Sequence, residues 1–389
     1  MFGKDTYRFF ATLRMTAVLA SALLLASACS KVETWVDGAD PVPVTFSTYA
    51  QRSTKADNSY VAPGGDFANG AVVGVYGFYH DNTDWTTETA AGSNIADFMY
   101  NTALTKQSDG SWTYSPIKYW PNEYGTGANS TNVDKLSFWG YYPRGAAGLN
   151  LYKSGTTTAY DNDTNGLPEA AFTVSTDPAQ QVDLMFSQLE NDLTKHGISE
   201  AVTLHFRHAL SLVQLNVTAA TGTNATIKIT KLTLTNIDTQ GSCATPGASI
   251  ADDQHPENYW SNVGTSATIT VATTTTSTNL ILMPQALDAD ASAGNSGHSD
   301  VHLHMEYDIV FPAAHDPSQS LSYKDNVVDA YLWRDASFTI NGVAGTGDAY
   351  GVKRWLPGRK YVYNIEAGLE RIEFREVTEE SWTTEWPTP

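Results

Sequence analysis

The densest set of groups able to do chemistry is Asp300-Val301-His302-Leu303-His304-Met305-Glu306-Tyr307-Asp308. In an extended strand, successive side chains point to opposite faces. Asp300, His302, His304, Glu306 and Asp308 therefore share one face, and Val301, Leu303, Met305 and Tyr307 share the other. A His-x-His pair flanked by carboxylates has the ligand types and spacing to hold zinc or a similar ion. The solvated face of an amphipathic strand is the simpler reading, and nothing else in the sequence demands a metal. No metal and no cofactor is expected. His208, within Phe206-Arg207-His208-Ala209, reads as a hydrogen-bonded structural residue. The chain has no Gly-x-Ser-x-Gly elbow, no His-Glu-x-x-His and no Walker-type phosphate loop. The acidic pairs Asp252-Asp253 and Glu379-Glu380 fall in stretches that read as loop. An enzyme is not expected.

Aromatic rings offer a second kind of site. Trp112, Tyr114, Tyr119, Trp120, Trp139, Tyr141 and Tyr142 cluster in the first half of the chain. Exposed, they would stack on sugars. Alternation places most of them in strands, where burial is the usual fate.

The elements that must carry these groups read as strands. Short runs rich in Val, Thr, Tyr, Phe and Trp recur between clusters of Gly, Asn, Asp and Ser, the signature of an all-β sandwich or barrel. The pattern predicts strands at 72–79, 136–142, 171–174, 202–217, 227–234, 267–271, 301–310, 337–340 and 361–365. No long window shows a helical stripe. Residues 153–168 and 286–299 read as long surface loops. The stretch 188–199 has little periodicity and lies near the middle, so a domain boundary is expected near residue 200. A chain of 389 residues supports two domains, each with its own core. The expected division is 29–200 and 201–389.

The first residues form an export signal. Lys4, Arg8 and Arg14 precede an apolar run from Ala17 to Ala28, too short to span a bilayer as a helix. Ala26-Ser27-Ala28-Cys29 resembles a bacterial lipoprotein cut, with residues 1–28 removed and Cys29 lipidated. It departs from the usual pattern by placing Ala26 where Leu is common. Of the two cysteines, Cys243 then has no intramolecular partner, so the fold relies on packing and sheet hydrogen bonds. The formal charge is −19, and removing a net +2 with the signal makes the mature chain more acidic still. Such a surface repels phosphate backbones, so nucleic acid is excluded as a partner. Lipid on Cys29 is left as the evident membrane anchor.

Behind Cys29, Val42, Val44, Phe46 and Thr48 lie on one face of an extended segment at about 42–50. Pro41 and Pro43 lack a donor N–H, which places this strand at a sheet edge. A polar stretch follows from Gln51 to Asn58, containing Arg52 and Lys55. Exposed linkers of this composition are where proteases cut.

Several motifs then appear in order: Arg-Ser-Thr-Lys-Ala at 52–56, Gly74-Val75-Tyr76-Gly77-Phe78-Tyr79, Lys118-Tyr119-Trp120-Pro121 and Leu136-Ser137-Phe138-Trp139-Gly140-Tyr141-Tyr142-Pro143. Asp183-Leu184-Met185-Phe186, Phe206 to Val213, Leu282-Met283-Pro284-Gln285 and Trp355…Gly358-Arg359…Tyr361-Val362-Tyr363 complete the series. Together they resemble the fimbrillin family of Bacteroidetes-type surface lipoproteins, the type V pilins and their accessory subunits. The resemblance implies two tandem transthyretin-like β-sandwiches and an outer-membrane, cell-surface location, lipid-anchored at least in the precursor. It also implies cleavage by a trypsin-like protease, here after Arg52 or Lys55, and loss of the first strand. A strand from another fimbrial subunit then fills the groove, and the fimbria contributes to adhesion. A donor from the C-terminal end, where Ile372 and Phe374 alternate with charged residues, and an ordinary last strand are equally compatible with the letters. A non-catalytic glycan-binding lipoprotein is the alternative function.

Overall fold

The computed structural model describes residues 41–50, 67–121, 134–195, 201–219, 225–248, 259–261, 266–271, 277–287, 301–311, 321–334, 337–340, 343–346, 350–367 and 372–381. Cys29, Arg52, Lys55, Asp300, Trp382 and Trp386 lie outside them. By its contacts the chain divides into Met1–Val42 and Pro43–Pro389, and of the first unit only residues 41 and 42 are described.

Among the described residues the protein is all-β apart from one short helix and a single 3-10 turn, as the strand pattern leads one to expect. The largest sheet contains β1 (Phe46–Ala50), β2 (Val72–His80), β3 (Met99–Lys106), β4 (Trp112–Thr113), β5 (Lys135–Tyr142), β8 (Met185–Ser187), β9 (Glu190–Leu193) and β10 (Val202–His208). Its order is β1-β10-β8-β5-β2-β3-β4, with β9 added on β5. Strands β6 (Leu149–Tyr152), β7 (Glu169–Thr173) and β13 (Gln240–Cys243) form a small sheet ordered β13-β7-β6. The later chain supplies two four-stranded sheets. One runs β15 (Ser277–Leu282), β11 (Ser211–Ala219), β24 (Arg359–Ala367), β25 (Ile372–Ser381). The other runs β14 (Ser266–Val271), β12 (Thr226–Asp238), β17 (His302–Phe311), β18 (Leu321–Tyr331). Three two-stranded ribbons complete the set: β16 (Gln285–Ala286) with β23 (Arg354–Trp355), β19 (Trp333–Arg334) with β22 (Tyr350–Gly351), and β20 (Ser337–Ile340) with β21 (Val343–Thr346).

Strict alternation splits the burial of the first half between two cores. In β2 and β5, Val73, Val75, Leu136 and Phe138 point into one, while Tyr76, Phe78, Trp139 and Tyr141 point into the other. Both faces of these central strands are thus covered, and both read as near-continuous apolar runs. Gly74 is required here, because a Cβ would stand 2.4 Å from the Tyr141 ring. The third core fills the space between the two four-stranded sheets, with Leu215, Leu234, Met305 and Tyr363 at its centre. That is a β-sandwich.

Residues 202–217, expected as one strand, are two. The break falls at Ala209-Leu210, where Ala209 N–H donates to Leu184 O at 2.8 Å and Leu210 O accepts from Gly358 N–H at 2.8 Å. Backbone pairing changes partner there, so β10 stays in the first sheet and β11 enters the second sandwich. Two further stretches carry more order than their spacing suggests. The stretch 188–199, which shows little periodicity, contains β9, which pairs with β5 across a register shift, and Asp192 within β9 stands at φ 55. The loop 153–168 is tied down by Tyr160, which is buried and donates its hydroxyl to Gly166 O at 2.7 Å. The helix α1 (Trp85–Ala91) has its first turn capped by Asp84, which accepts from Thr87 N–H, and its end set by Gly92 at φ 77. Of the loop expected at 286–299, residues 288–299 lie outside the described set.

Candidate functional site

β1 closes the first sheet on itself. It pairs in parallel with β10, Phe46 opposite Val202 and Thr48 opposite Leu204, and among the described residues no second strand follows it in the order. The sheet curls so that its far end returns to the same place. Pro43 bridges Tyr119, Val44 N–H donates to Lys118 O at 2.9 Å, and the Tyr114 hydroxyl donates to Val44 O at 2.7 Å. Burial raises the Tyr114 phenol above its ordinary value, which keeps it a donor. The strand is therefore a seam between β10 and the segment that follows β4.

Its side chains sort by face. Val44, Phe46 and Thr48 are buried at 1%, 5% and 1% exposure. The Phe46 ring meets Tyr114 edge-on at 5.5 Å and Phe138 at 5.2 Å. Outward, Ser47 hydrogen-bonds Thr203 at 2.9 Å, and the Tyr49 ring stacks on His205 at 5.4 Å. His205 in turn holds Glu190 at 2.6 Å. Val42, expected on the buried face, is exposed at 38%. It precedes the first backbone bond to the 118–119 segment, so nothing fixes it inward. Removing Val44 and Phe46 from water stabilises the strand by roughly 1.5–3 kcal/mol each, and each ladder hydrogen bond adds ~0.5–1.5 kcal/mol. Ala50 ends β1 just before Gln51 and Arg52, so a cut there would leave these contacts as the strand's whole attachment.

The His-x-His face lies in the second sandwich. His304 contacts Asp329 at 2.8 Å on the neighbouring strand and Glu306 at 3.1 Å, and Lys231 reaches the same Glu306 oxygen at 3.0 Å. His302 packs its ring beside Tyr331 at 5.7 Å. Among the described residues no group of three or more His, Cys, Asp or Glu is placed to hold a metal ion. The imidazole is instead a cross-strand ion partner. Hydrogen bonds to Glu306, then to Asp329, raise its pKa above the ordinary value. A raised folded value means the pairing contributes fully below the unfolded pKa of about 6.5 and is lost as pH rises through the folded one. An NMR titration should place the His304 midpoint above about 6.5, with Asp329→Asn lowering it. A wild-type midpoint at or below that value would contradict the pairing.

One arrangement escapes sequence inspection. His80 Nε2 lies 2.8 Å from Ser137 Oγ, and its Nδ1 lies 3.2 Å from Glu88 Oε2, the connectivity of a hydrolytic relay. Here it is closed. His80 and Ser137 are fully buried, Ser137 Oγ also accepts Asp192 N–H at 2.9 Å, and Trp85 covers the imidazole edge-on. The trio ties β2, β5, α1 and β9 together. His208 is likewise buried, 2.8 Å from Asp183. Of the aromatic cluster, Trp112, Tyr114, Trp120, Trp139 and Tyr141 are buried, Tyr142 is half-buried and Tyr119 is exposed.

Comparison with known proteins adds a family-level likeness. A family model described as fimbrillin-like matches residues 54–382. The chain is similar in structure to a fimbrial protein from Bacteroides vulgatus, at 18% identity over 88% of this chain and 99% of that one, with a TM-score of 0.53. A solved structure from Bacteroides uniformis, described as a cell adhesion protein, matches at 15% identity over 88% and 98%, with a TM-score of 0.46. No curated protein matches. The first structural likeness is one of fold.

Proposed function

Since this chain belongs to the fimbrillin-like family, we propose that it is a structural subunit of a cell-surface fimbria, assembled by replacement of β1. In this reading the precursor is exported and held at the outer membrane by lipid on Cys29. A trypsin-like protease cuts after Arg52 or Lys55. The stub carrying β1 then leaves, and a strand from a neighbouring fimbrial subunit enters the seam. In this division of labour the first sheet, which includes β10, receives the strand, and the sandwich that begins at β11 faces the next subunit.

The observation that carries this reading is the position of β1. It ends the sheet order, it shields Phe138 and Tyr114 from solvent, and its last residue precedes Gln51 and Arg52. A sheet stripped of such a strand presents unpaired N–H and C=O groups along β10 and an apolar trough, both primed for strand addition. A head-to-tail joint of that kind does not close on itself and builds a filament. The C-terminal strand β25 pairs with β24 inside its own chain, so donation from that end requires β25 to detach or the residues beyond it to serve. A glycan-binding role would draw on exposed rings, and in the aromatic cluster only Tyr119 is exposed.

The test is the double variant Arg52→Ala, Lys55→Ala. It should keep its N-terminal segment in mass spectra of surface protein and yield no polymer ladder, while the wild type begins at Ser53 or Ala56 and does. Polymerisation equal to wild type would remove the cleavage step from the proposal.

A further inference from the structure

We infer that Thr48 is the weak point of β1, and that the strand taking its place comes from a different subunit and reads aliphatic–x–aromatic–x–aliphatic. This rests on the strand-replacement reading above. Thr48 is 1% exposed, and its Oγ1 is closed to solvent without a hydrogen-bond partner. It faces inward with Val44 and Phe46, opposite Leu204, itself fully buried. The outward hydroxyl next to it, Ser47, is paired with Thr203. The defect is therefore confined to the side that faces the apolar core. A buried hydroxyl with no partner loses its water and gains nothing in return. Valine, with a methyl in place of that hydroxyl, suffers no such loss. β1 thus suits two of its three inward positions and is a poor occupant of the third.

The same three positions exclude this chain's own C-terminal strand. In β25, Ile372-Glu373-Phe374-Arg375-Glu376 repeats the spacing of Val44 and Phe46. With Phe374 in the place of Phe46, Glu376 falls at the Thr48 position if the strand runs parallel to β10 and at the Val44 position if it runs antiparallel. Both positions are 1% exposed. Shifting the register does not help, because every set of three alternate residues in 372–381 includes a Glu or an Arg. Burying an unpaired charge there is far more costly than burying the Thr48 hydroxyl. Residues 382–389 contain no Val, Ile or Leu. Residues 372–389 of a second copy therefore offer no matching strand, and the partner we infer is a distinct subunit with a neutral, aliphatic-flanked aromatic.

Two measurements separate this from the reading beneath it. In the intact chain, Thr48→Val should raise hydrogen-exchange protection of the β1 amides about tenfold, while Thr48→Ser, which keeps the hydroxyl, should not. Unchanged or lower protection in Thr48→Val overturns the weak point, whatever happens on assembly. In chain nicked at Arg52 or Lys55, a peptide of residues 42–50 with valine at position 48 should displace the labelled stub about tenfold faster than the natural peptide. A peptide of residues 372–381 should not displace it. Displacement by the 372–381 peptide as fast as by the valine peptide overturns the assignment to a distinct subunit. If no peptide enters and the stub never leaves, strand replacement itself fails, even where the exchange result stands.

Discussion

Phe46→Ala is expected to free β1 from the sheet while leaving the rest of the fold in place. Truncating a buried Phe costs ~3–5 kcal/mol, and Phe46 contributes the largest inward surface of the strand, against Tyr114 and Phe138. Exchange protection of the β1 amides should drop about a hundredfold or more, at ~1.4 kcal/mol per tenfold. Global stability should fall by less, because once β1 has detached its contacts no longer enter the unfolding equilibrium. Val42→Ala is the control. Its side chain is exposed, so a change within about 0.5 kcal/mol is expected. Equal loss of protection in the two variants would mean that burial at Phe46 does not hold the strand.

Trp260→Ala should unfold the protein's middle. Trp260 is fully buried, touches Phe172 and Phe186, and donates its indole N–H to Ala209 O at 2.6 Å. That carbonyl lies at the crossing between β10 and β11. The core around it draws Trp139 and Phe186 from the earlier strands and Leu212, Ile281 and Met283 from the later ones. Truncation removes ~3–5 kcal/mol of packing and strands a buried carbonyl at a further ~1–3 kcal/mol. Urea unfolding of the wild type should be one transition, and the variant should lose stability at both ends of the chain together. Trp260→Phe, which keeps most of the ring, should cost far less. Separate transitions in the wild type, only one moved by Trp260→Ala, would show that this core does not couple the halves.

The strands with a buried face were legible because burial enforces alternation. Val202-Leu204-Phe206 and the 301–309 run show it, and both appear as written. Strands whose side chains are only half-buried were not. β3 reads Met-Tyr-Asn-Thr-Ala-Leu-Thr-Lys and β18 carries Tyr323 and Val327 outward, so neither has a clean period. The crossing at Ala209-Leu210 was hidden because both residues suit a strand; only the bonds from Leu184 and Gly358 reveal the change of sheet. At the site, Val44, Phe46 and Thr48 were readable from spacing and Pro43. Their clamp by the Tyr114 hydroxyl and the Lys118 carbonyl was not, since it ends on the backbone of Val44 about seventy residues away, which no alternation of side chains records.

Strand β10, the neighbour of the seam, runs into β11 with only Ala209 and Leu210 between them, and β11 lies parallel to β24. A tug on anything lodged in the seam would thus pass along one unbroken backbone from the first sandwich to the second. Where that backbone hands its tension to β24, eight consecutive residue pairs from Leu212↔Lys360 to Ala219↔Ala367 share it side by side. Bonds that share a stress must give way as a group, whereas bonds that open from one end fail in turn. The subunit is wired to stretch along its length far less readily than it would unzip.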